Sequence, residues 1–138
     1  MEKITNFSGD YAFLTMDYPC EIKCGDIVFK NAGTYLYALK TNDVGSMRKY
    51  ARLSMNKARQ KAANIINDNF TEDFEMYVMR ACIDKFTQNP DLAKKLKDTG
   101  DAELINVVQY NDPKLGVYMG HGENILGKVL TKIRSSIK

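Results

Sequence analysis

A chain of 138 residues has room for one domain, and folding at this size buries roughly two-thirds of the surface, which excludes a second independent domain. With 44% hydrophobic and 27% charged residues and no apolar run near the ~20 residues that a membrane span requires, it reads as a soluble globular protein and not a transmembrane one. Twenty Lys/Arg against 17 Asp/Glu leave a net charge of only +3, too weak a field to make nucleic acid the first choice of partner.

The N-terminus, Met1-Glu2-Lys3-Ile4, is polar where a secretory signal needs an apolar stretch, so a cytoplasmic location is expected. Three cysteines, Cys20, Cys24 and Cys82, cannot all pair, which suits a reducing compartment with free thiols. Short apolar runs follow, Tyr11 to Leu14, Glu21 to Cys24 and Ile27 to Phe29, and these predict strands, with Gly25-Asp26 as a hairpin turn. From Asn31 helical patterns take over, predicting helices over 34–39, 44–53 and 56–66, the last with Ala58, Ala62, Ile65 and Ile66 on one face.

The clearest helix is expected over 72–86, with Thr71 as its cap, Glu72 and Asp73 complementing its dipole, and a core stripe of Phe74, Val78, Ala81, Cys82 and Phe86. Asn89-Pro90 starts another helix, with Leu92, Ala93 and Leu96 inward, that ends at Gly100. Strands are predicted over 104–108 and 116–119. A final amphipathic helix over 123–137 carries Ile125, Leu126, Val129, Leu130, Ile133 and Ile137. Strands, several helices, strands and a helix in that order predict a compact, helix-rich α+β domain over residues 1–138.

Few residues carry obvious chemistry. Gly122 to Lys128 has the glycine and lysine spacing of a phosphate-binding P-loop, but Val129 stands where the magnesium-binding Ser/Thr belongs. Gly120-His121-Gly122 still precedes a helix start, whose exposed amides suit a phosphate. His121, the only histidine, has no partner recognisable from spacing, and Cys20 and Cys24 lack the further ligands of a zinc site, so no metal is expected. Tyr35, Tyr37 and Tyr110 lie in or beside polar stretches, where a ring can stack on a base and a hydroxyl can hold a ribose.

The stretch Phe7-Ser8-Gly9-Asp10-Tyr11-Ala12-Phe13-Leu14 with Tyr18-Pro19-Cys20 resembles the opening of the NADAR (NAD and ADP-ribose associated, YbiA-like) family, F-x-G-x-Y-x-F-L-S-N-F-Y-P. Lys85-Phe86-Thr87-Gln88-Asn89-Pro90 and Thr99-Gly100 with Leu104 are similar to its K-F-x-Q-N-P and T-G-x-x-x-L segments. Asp112, Gly116, and Gly120-His121-Gly122-Glu123-Asn124-Ile125-Leu126-Gly127 with Arg134 resemble its D-x-x-W-G and G-x-G-x-N-x-L-G ending. The resemblance covers nearly the whole chain in the family's order and implies a NADAR/YbiA-like α+β fold.

It also implies a departure. Members that cleave N-glycosidic bonds, in riboflavin-pathway intermediates or ADP-ribosylated guanine, carry P-S-x-E-H where this chain has Lys30-Asn31-Ala32-Gly33-Thr34, and family tryptophans are replaced by Leu115 and Tyr110. Cleavage through an oxocarbenium-like state needs a carboxylate that position 33 does not supply. The expectation is therefore a non-catalytic binder that sequesters an ADP-ribose-derived nucleotide, for instance a defence signalling molecule captured by a viral sponge protein. The alternative is an N-glycosidase or ADP-ribosyl hydrolase with a relocated carboxylate, among Asp10, Asp17, Asp112 and Glu123; a module acting through protein contacts, such as a homo-oligomer, stays open. No cofactor and no membrane partner are expected. The implied ligand residues are Tyr35, Tyr37 and Tyr110 for base and ribose, Thr34 in the histidine's place, and Ser8, Gly9, Gly120, Gly122 and Asn124 for phosphates. Tyr11, Phe13 and Asp112 complete the set with Lys85, which is either a phosphate contact or a structural partner of an acid.

Overall fold

The computed structural model describes residues 2–108, 114–117 and 119–137. Its elements run β1 (Lys3–Ile4), a 3-10 helix (Gly9–Leu14), β2 (Ile22–Cys24), β3 (Ile27–Phe29), α1 (Ala32–Leu39), α2 (Val44–Arg48), α3 (Met55–Ala62), α4 (Asp68–Glu72), α5 (Phe74–Gln88), α6 (Pro90–Asp98), β4 (Glu103–Leu104) and α7 (Ile125–Ser136). This is the helix-rich α+β class expected from the sequence. The contacts group into two units, a central one of Met16–Asn89 and a terminal one of Met1–Thr15 with Pro90–Lys138. No helix among the described residues is long and apolar enough to cross a membrane.

In the central unit β2 and β3 form the expected antiparallel hairpin, with Ile22 opposite Phe29, Cys24 opposite Ile27, and Gly25 at φ +61° in the turn. Alternation puts Ile22, Ile27 and Phe29 inside and leaves Lys23 and Val28 outside. Four helix starts use polar caps: Asn31, Asp43, Ser54 and Asn67 accept from the backbone amides of Thr34, Ser46, Lys57 and Phe70. Helix α1 packs on α3 and α5 and is buried along nearly all its length, because Ala32, Leu36, Ala38 and Leu39 leave it no polar face. Val78, Ala81, Cys82 and Phe86 of the α5 stripe are core, whereas Phe74 is half-buried.

Several boundaries differ from the sequence expectation. Helix α2 stops at Arg48 and continues to Leu53 as successive three-residue turns. Helix α5 starts at Phe74, because Asn67 caps a separate short helix, α4, that takes Glu72 as its last residue; Thr71 caps nothing.

In the terminal unit β1 runs parallel to β4, Lys3 beside Glu103 and Ile4 beside Leu104. Strand β4 is shorter than expected, and of the predicted strand over 116–119 only Val117 pairs, in an isolated bridge to Val107, with Tyr118 outside the described residues. Residues 11–14 are not a strand. Gly9 at φ +57° opens a 3-10 helix there, with Tyr11 N–H donating to Ser8 O, and it buries the neighbouring pair Phe13 and Leu14, which the alternation of a strand would place on opposite faces. Helix α7 forms where expected but starts at Ile125 and ends at Ser136, inside the expected 123–137, and buries Val129, Leu130 and Ile133 as it packs on β4 and α6. Arg134, a position shared with the family pattern, braces this unit by donating to Thr99 Oγ1 and Ala102 O, both at 2.9 Å.

Candidate functional site

The start of α1 is where the family resemblance places chemistry in the central unit. Gly33 is buried, its N–H donates to Met16 O at 2.7 Å, and a Cβ built on it would run into the Met55 side chain. The volume an acidic side chain would need at position 33 is thus filled by a thioether. Thr34 is fully buried; its amide donates to Asn31 Oδ1 at 2.7 Å and its hydroxyl to Leu53 O at 2.9 Å. Standing in the histidine's place, it spends both its amide and its hydroxyl on the α1 start.

Tyr35 corrects the sequence expectation. It lies within α1, where a helix is expected, but is 1% exposed and not at a rim, its ring 5.1 Å from that of Phe29. Its hydroxyl donates to Asp84 Oδ2 at 2.6 Å. Burial, together with that carboxylate, pushes the phenol well above its ordinary pKa, so it stays neutral and donating. A ring this covered offers no face for stacking. Tyr37, also in α1, is half-buried and belongs to an aromatic group around Phe70, whose ring centre lies 6.2 Å from Tyr37, 5.3 Å from Phe74 and 5.0 Å from Tyr77.

Lys85 is 1% exposed and lies inside the unit, its ammonium 5.2 Å from the Phe86 ring centre and 5.8 Å from that of Tyr18. Burial pushes its pKa below the lysine value, while Cys82, Cys20 and Asp17 pull the other way. Cys82, one turn earlier, is fully buried with its thiol against Met16 Sδ at 3.7 Å, and burial raises it to about 12. Of the two roles expected for Lys85, its burial suits the structural one better than a phosphate contact at the surface. Asp84 and Cys82, which line this interior, carried no functional signal in the sequence; Asp84 was legible only as one polar position on a helix.

In the terminal unit the expected phosphate loop precedes α7. Asn124 takes a left-handed conformation, φ +51°, and spends both ends of its amide on the chain: Oδ1 accepts from Asn106 N–H at 2.9 Å and Nδ2 donates to Leu104 O at 3.1 Å. The amides of Ile125 and Leu126 donate to Lys114 O and Leu115 O at 2.9 and 3.1 Å. Those first-turn donors, which an anion would use, are already satisfied by the backbone. Gly122 packs against the Gly116 carbonyl so closely, at φ +146°, that no side chain fits. Gly120 and His121 remain exposed at the loop tip.

Ser8 and Gly9 are exposed, the Ser8 hydroxyl donating to Asn6 Oδ1 at 2.7 Å. Tyr11 is 41% exposed and borders an open depression of about 320 Å³ that Glu2, Lys3, Ile4, Thr5 and Asn6 also line. Phe13 is core, 3% exposed, with the Lys95 ammonium 5.8 Å from its ring centre, so it cannot stack on a ligand. Tyr110 and Asp112 lie outside the described residues. Among the described residues no three His, Cys, Asp or Glu side chains gather closely enough to hold a metal ion.

The NADAR domain family model matches residues 2–138. The fold is similar to that of the E. coli protein YbiA in its NMR structure, with a TM-score of 0.82 at 23% identity over 99% of this chain and 86% of that one. A riboflavin biosynthesis protein of Vibrio vulnificus (strain YJ016) is 30% identical over 136 residues, 94% of this chain and 36% of that protein. The chain therefore spans about a third of that relative's length.

Proposed function

We propose that this chain, which belongs to the NADAR domain family, binds an ADP-ribose-derived nucleotide and holds it without cleaving it. What supports the reading is the start of α1. At the positions where the resemblance puts the family's Glu-His pair, Gly33 has no side chain, Met55 fills the space one would occupy, and the Thr34 hydroxyl is donated to Leu53 O. Losing general acid/base assistance typically costs a factor of ~100 to 10,000 in rate. Binding rests on stacking, ribose hydrogen bonds and phosphate contacts, none of which needs that pair. The ligand contacts of this reading are the exposed Ser8, Gly9, Tyr11, Gly120 and Gly122, with Tyr110 and Asp112. Intact capture suits sequestration, such as the removal of a signalling nucleotide made during antiviral defence.

A second reading, N-glycosidic cleavage of a riboflavin-pathway intermediate or an ADP-ribosylated base, is favoured by the relative named as a riboflavin biosynthesis protein. It requires another carboxylate, and among the described residues Asp10, Asp17 and Glu123 are exposed and available for that task.

The test is to incubate the purified protein with NAD, ADP-ribose and cyclic ADP-ribose isomers, remove free ligand, heat-denature and analyse the supernatant by mass spectrometry. Intact nucleotide is expected, with a thermal stabilisation of ~2.7 kcal/mol at a hundredfold excess over Kd. Tyr11→Ala should weaken capture without lowering the melting temperature. Free base or sugar phosphate would replace the first reading by the second, and an empty supernatant without products would overturn both.

A further inference from the structure

The small net charge hides a strong segregation. Residues 40–67 hold seven cations, Lys40, Arg48, Lys49, Arg52, Lys57, Arg59 and Lys61, against one acid, Asp43, whereas the rest of the chain has 13 cations and 16 acids. In the structure this segment forms α2, the turns after it and α3, where Lys49 and Lys61 line the same open groove, about 340 Å³, with Thr41, Ser46, Tyr50 and Ile65. Lys57 lies one turn before Lys61 on α3 and is exposed, as are Lys49 and Lys61. Like charges at this spacing repel and weaken a helix. Among the described residues none of Lys49, Arg52, Lys57 and Lys61 forms an ion pair; Arg48, by contrast, is paired with Asp26 at 2.9 Å, and the Lys40 ammonium donates to Ala62 O at 2.9 Å.

We propose that the face carrying Lys49, Lys57 and Lys61 binds the phosphodiester backbone of a nucleic acid without reading its bases. The groove is not built for one isolated phosphate, because its hydroxyls are committed: Thr41 Oγ1 donates to Ala38 O at 2.7 Å and Ser46 Oγ to Asp43 Oδ2 at 2.7 Å. What it offers is ammonium charge spread along an open surface, which is how proteins hold a line of phosphates through counterion release. A protein partner fits less well, since protein interfaces exclude charge from their centre and anchor on aromatics. The groove's centre is charged, and its aromatic, Tyr50, is 2% exposed beneath the Lys61 ammonium, which lies 5.7 Å from the ring centre. Acidic Asp43 at the rim is itself held by the Ser46 amide and hydroxyl. Base readout is absent from the proposal for the same reason that stacking is: no ring in the groove is open. This inference does not depend on the nucleotide-binding reading above.

The test is fluorescence anisotropy of a labelled 30-mer single-stranded oligonucleotide with the full chain, from 50 to 200 mM salt. Three lysine–phosphate contacts predict affinity falling about 20-fold across that range, from a slope of about −0.7 per contact on single strands. Equal affinity for two unrelated sequences is expected. Each of K49A, K57A and K61A should flatten the slope by about one contact and weaken both sequences alike, with melting temperatures unchanged. Lys97→Ala, on α6, should leave binding as it is. No binding at 50 mM salt, wild-type affinity in the triple variant, strong sequence preference, or labelled polyglutamate binding as tightly as the oligonucleotide would each overturn the proposal, the last in favour of an acidic protein.

Discussion

Two helix starts in this molecule look like binding sites in the sequence, and both are closed, by different means. At α1 the closure is made of side chains: Asn31 caps, Thr34 donates to Leu53 O, and Met55 occupies the space beside Gly33. At α7 it is made of backbone and one side chain: the first amides donate to the carbonyls of Lys114 and Leu115, and the Asn124 side-chain amide ties Leu104 O to Asn106 N–H. A closure built from a flexible thioether can be reopened by one substitution. A closure built from peptide groups cannot be reopened without moving the chain that supplies them.

The Asn124 clamp at α7 predicts the larger loss. Asn124→Ala removes two hydrogen bonds at a partly buried position and places a β-carbon residue without local polar compensation at φ +51°. Unsatisfied groups cost about 1–3 kcal/mol each and the left-handed conformation about 1 kcal/mol more, so urea unfolding should show a loss of roughly 3–7 kcal/mol. Asn124→Gly restores the backbone freedom but not the hydrogen bonds, and should recover only about 1 kcal/mol of it. Equal stability of the two variants would mean that strain contributes nothing there.

The side-chain closure predicts a smaller and reversible effect. Gly33→Ala drives Cβ into Met55 and should cost about 1–3 kcal/mol as overpacking, whereas Gly33→Ala with Met55→Ala should be less destabilised than the sum of its two single changes. A double-mutant cycle with no coupling would show that Met55 does not seal position 33. The same pair sharpens the functional reading. If Gly33→Glu with Met55→Ala folds and gains glycosidic cleavage that Met55→Ala alone lacks, a missing carboxylate is what separates binding from turnover.

The parts of the fold that the sequence revealed are those with local causes. The hairpin followed from Gly25-Asp26 between alternating apolar residues, α7 from its unbroken stripe, and the α1 neighbourhood from Asn31. Strand β1 was invisible because two residues have no period, and its partner Glu103–Leu104 lies about 100 residues away in sequence. The 3-10 helix is not legible in the sequence because four apolar or aromatic residues in a row fit either a buried strand or a tight turn. Of the candidate site, Ser8, Gly9 and Tyr11 are exposed, whereas Tyr35, Thr34, Phe13 and Lys85 are buried, a difference that residue type alone does not carry. A tyrosine beside Thr34 reads as a rim residue until Asp84, 49 positions later, is seen to accept its hydrogen bond. The charge segregation over 40–67 was in the sequence all along, averaged away by the total.

The closed interior beside α1 extends to Cys82 on α5, and pH exposes it. A thiol raised by burial from 9.0 to about 12 stays protonated in the fold while the unfolded chain ionises above about 9. Stability from this group is therefore complete below pH 9 and is lost as pH rises from there towards 12. Between pH 8 and pH 10 the loss should be about 1.4 kcal/mol. Cys82→Ala, measured by denaturant unfolding at both pH values, should be less stable overall but lose about that much less between them. Parallel pH profiles would place the thiol in contact with water.

The smallest expected effect separates a cap from a clamp. Ser54 does for α3 what a capping residue ordinarily does, accepting one amide, that of Lys57, at 3.2 Å on an exposed surface. Ser54→Ala should therefore cost about 1 kcal/mol, because water takes over the freed amide. Asn124 stands at the equivalent position of α7 but holds the backbone of the 104–106 segment at two points, Leu104 O and Asn106 N–H, and water cannot hold that segment against α7. The ratio of the two losses, about threefold or more, measures how far α7 is fixed by what lies outside it. A Ser54→Ala loss as large as that of Asn124→Ala would mean that α3, with Lys57 and Lys61 repelling each other along it, depends on its cap as heavily as α7 depends on its clamp. In that case the lysine face would itself be a strained element, held in place until phosphates relieve it.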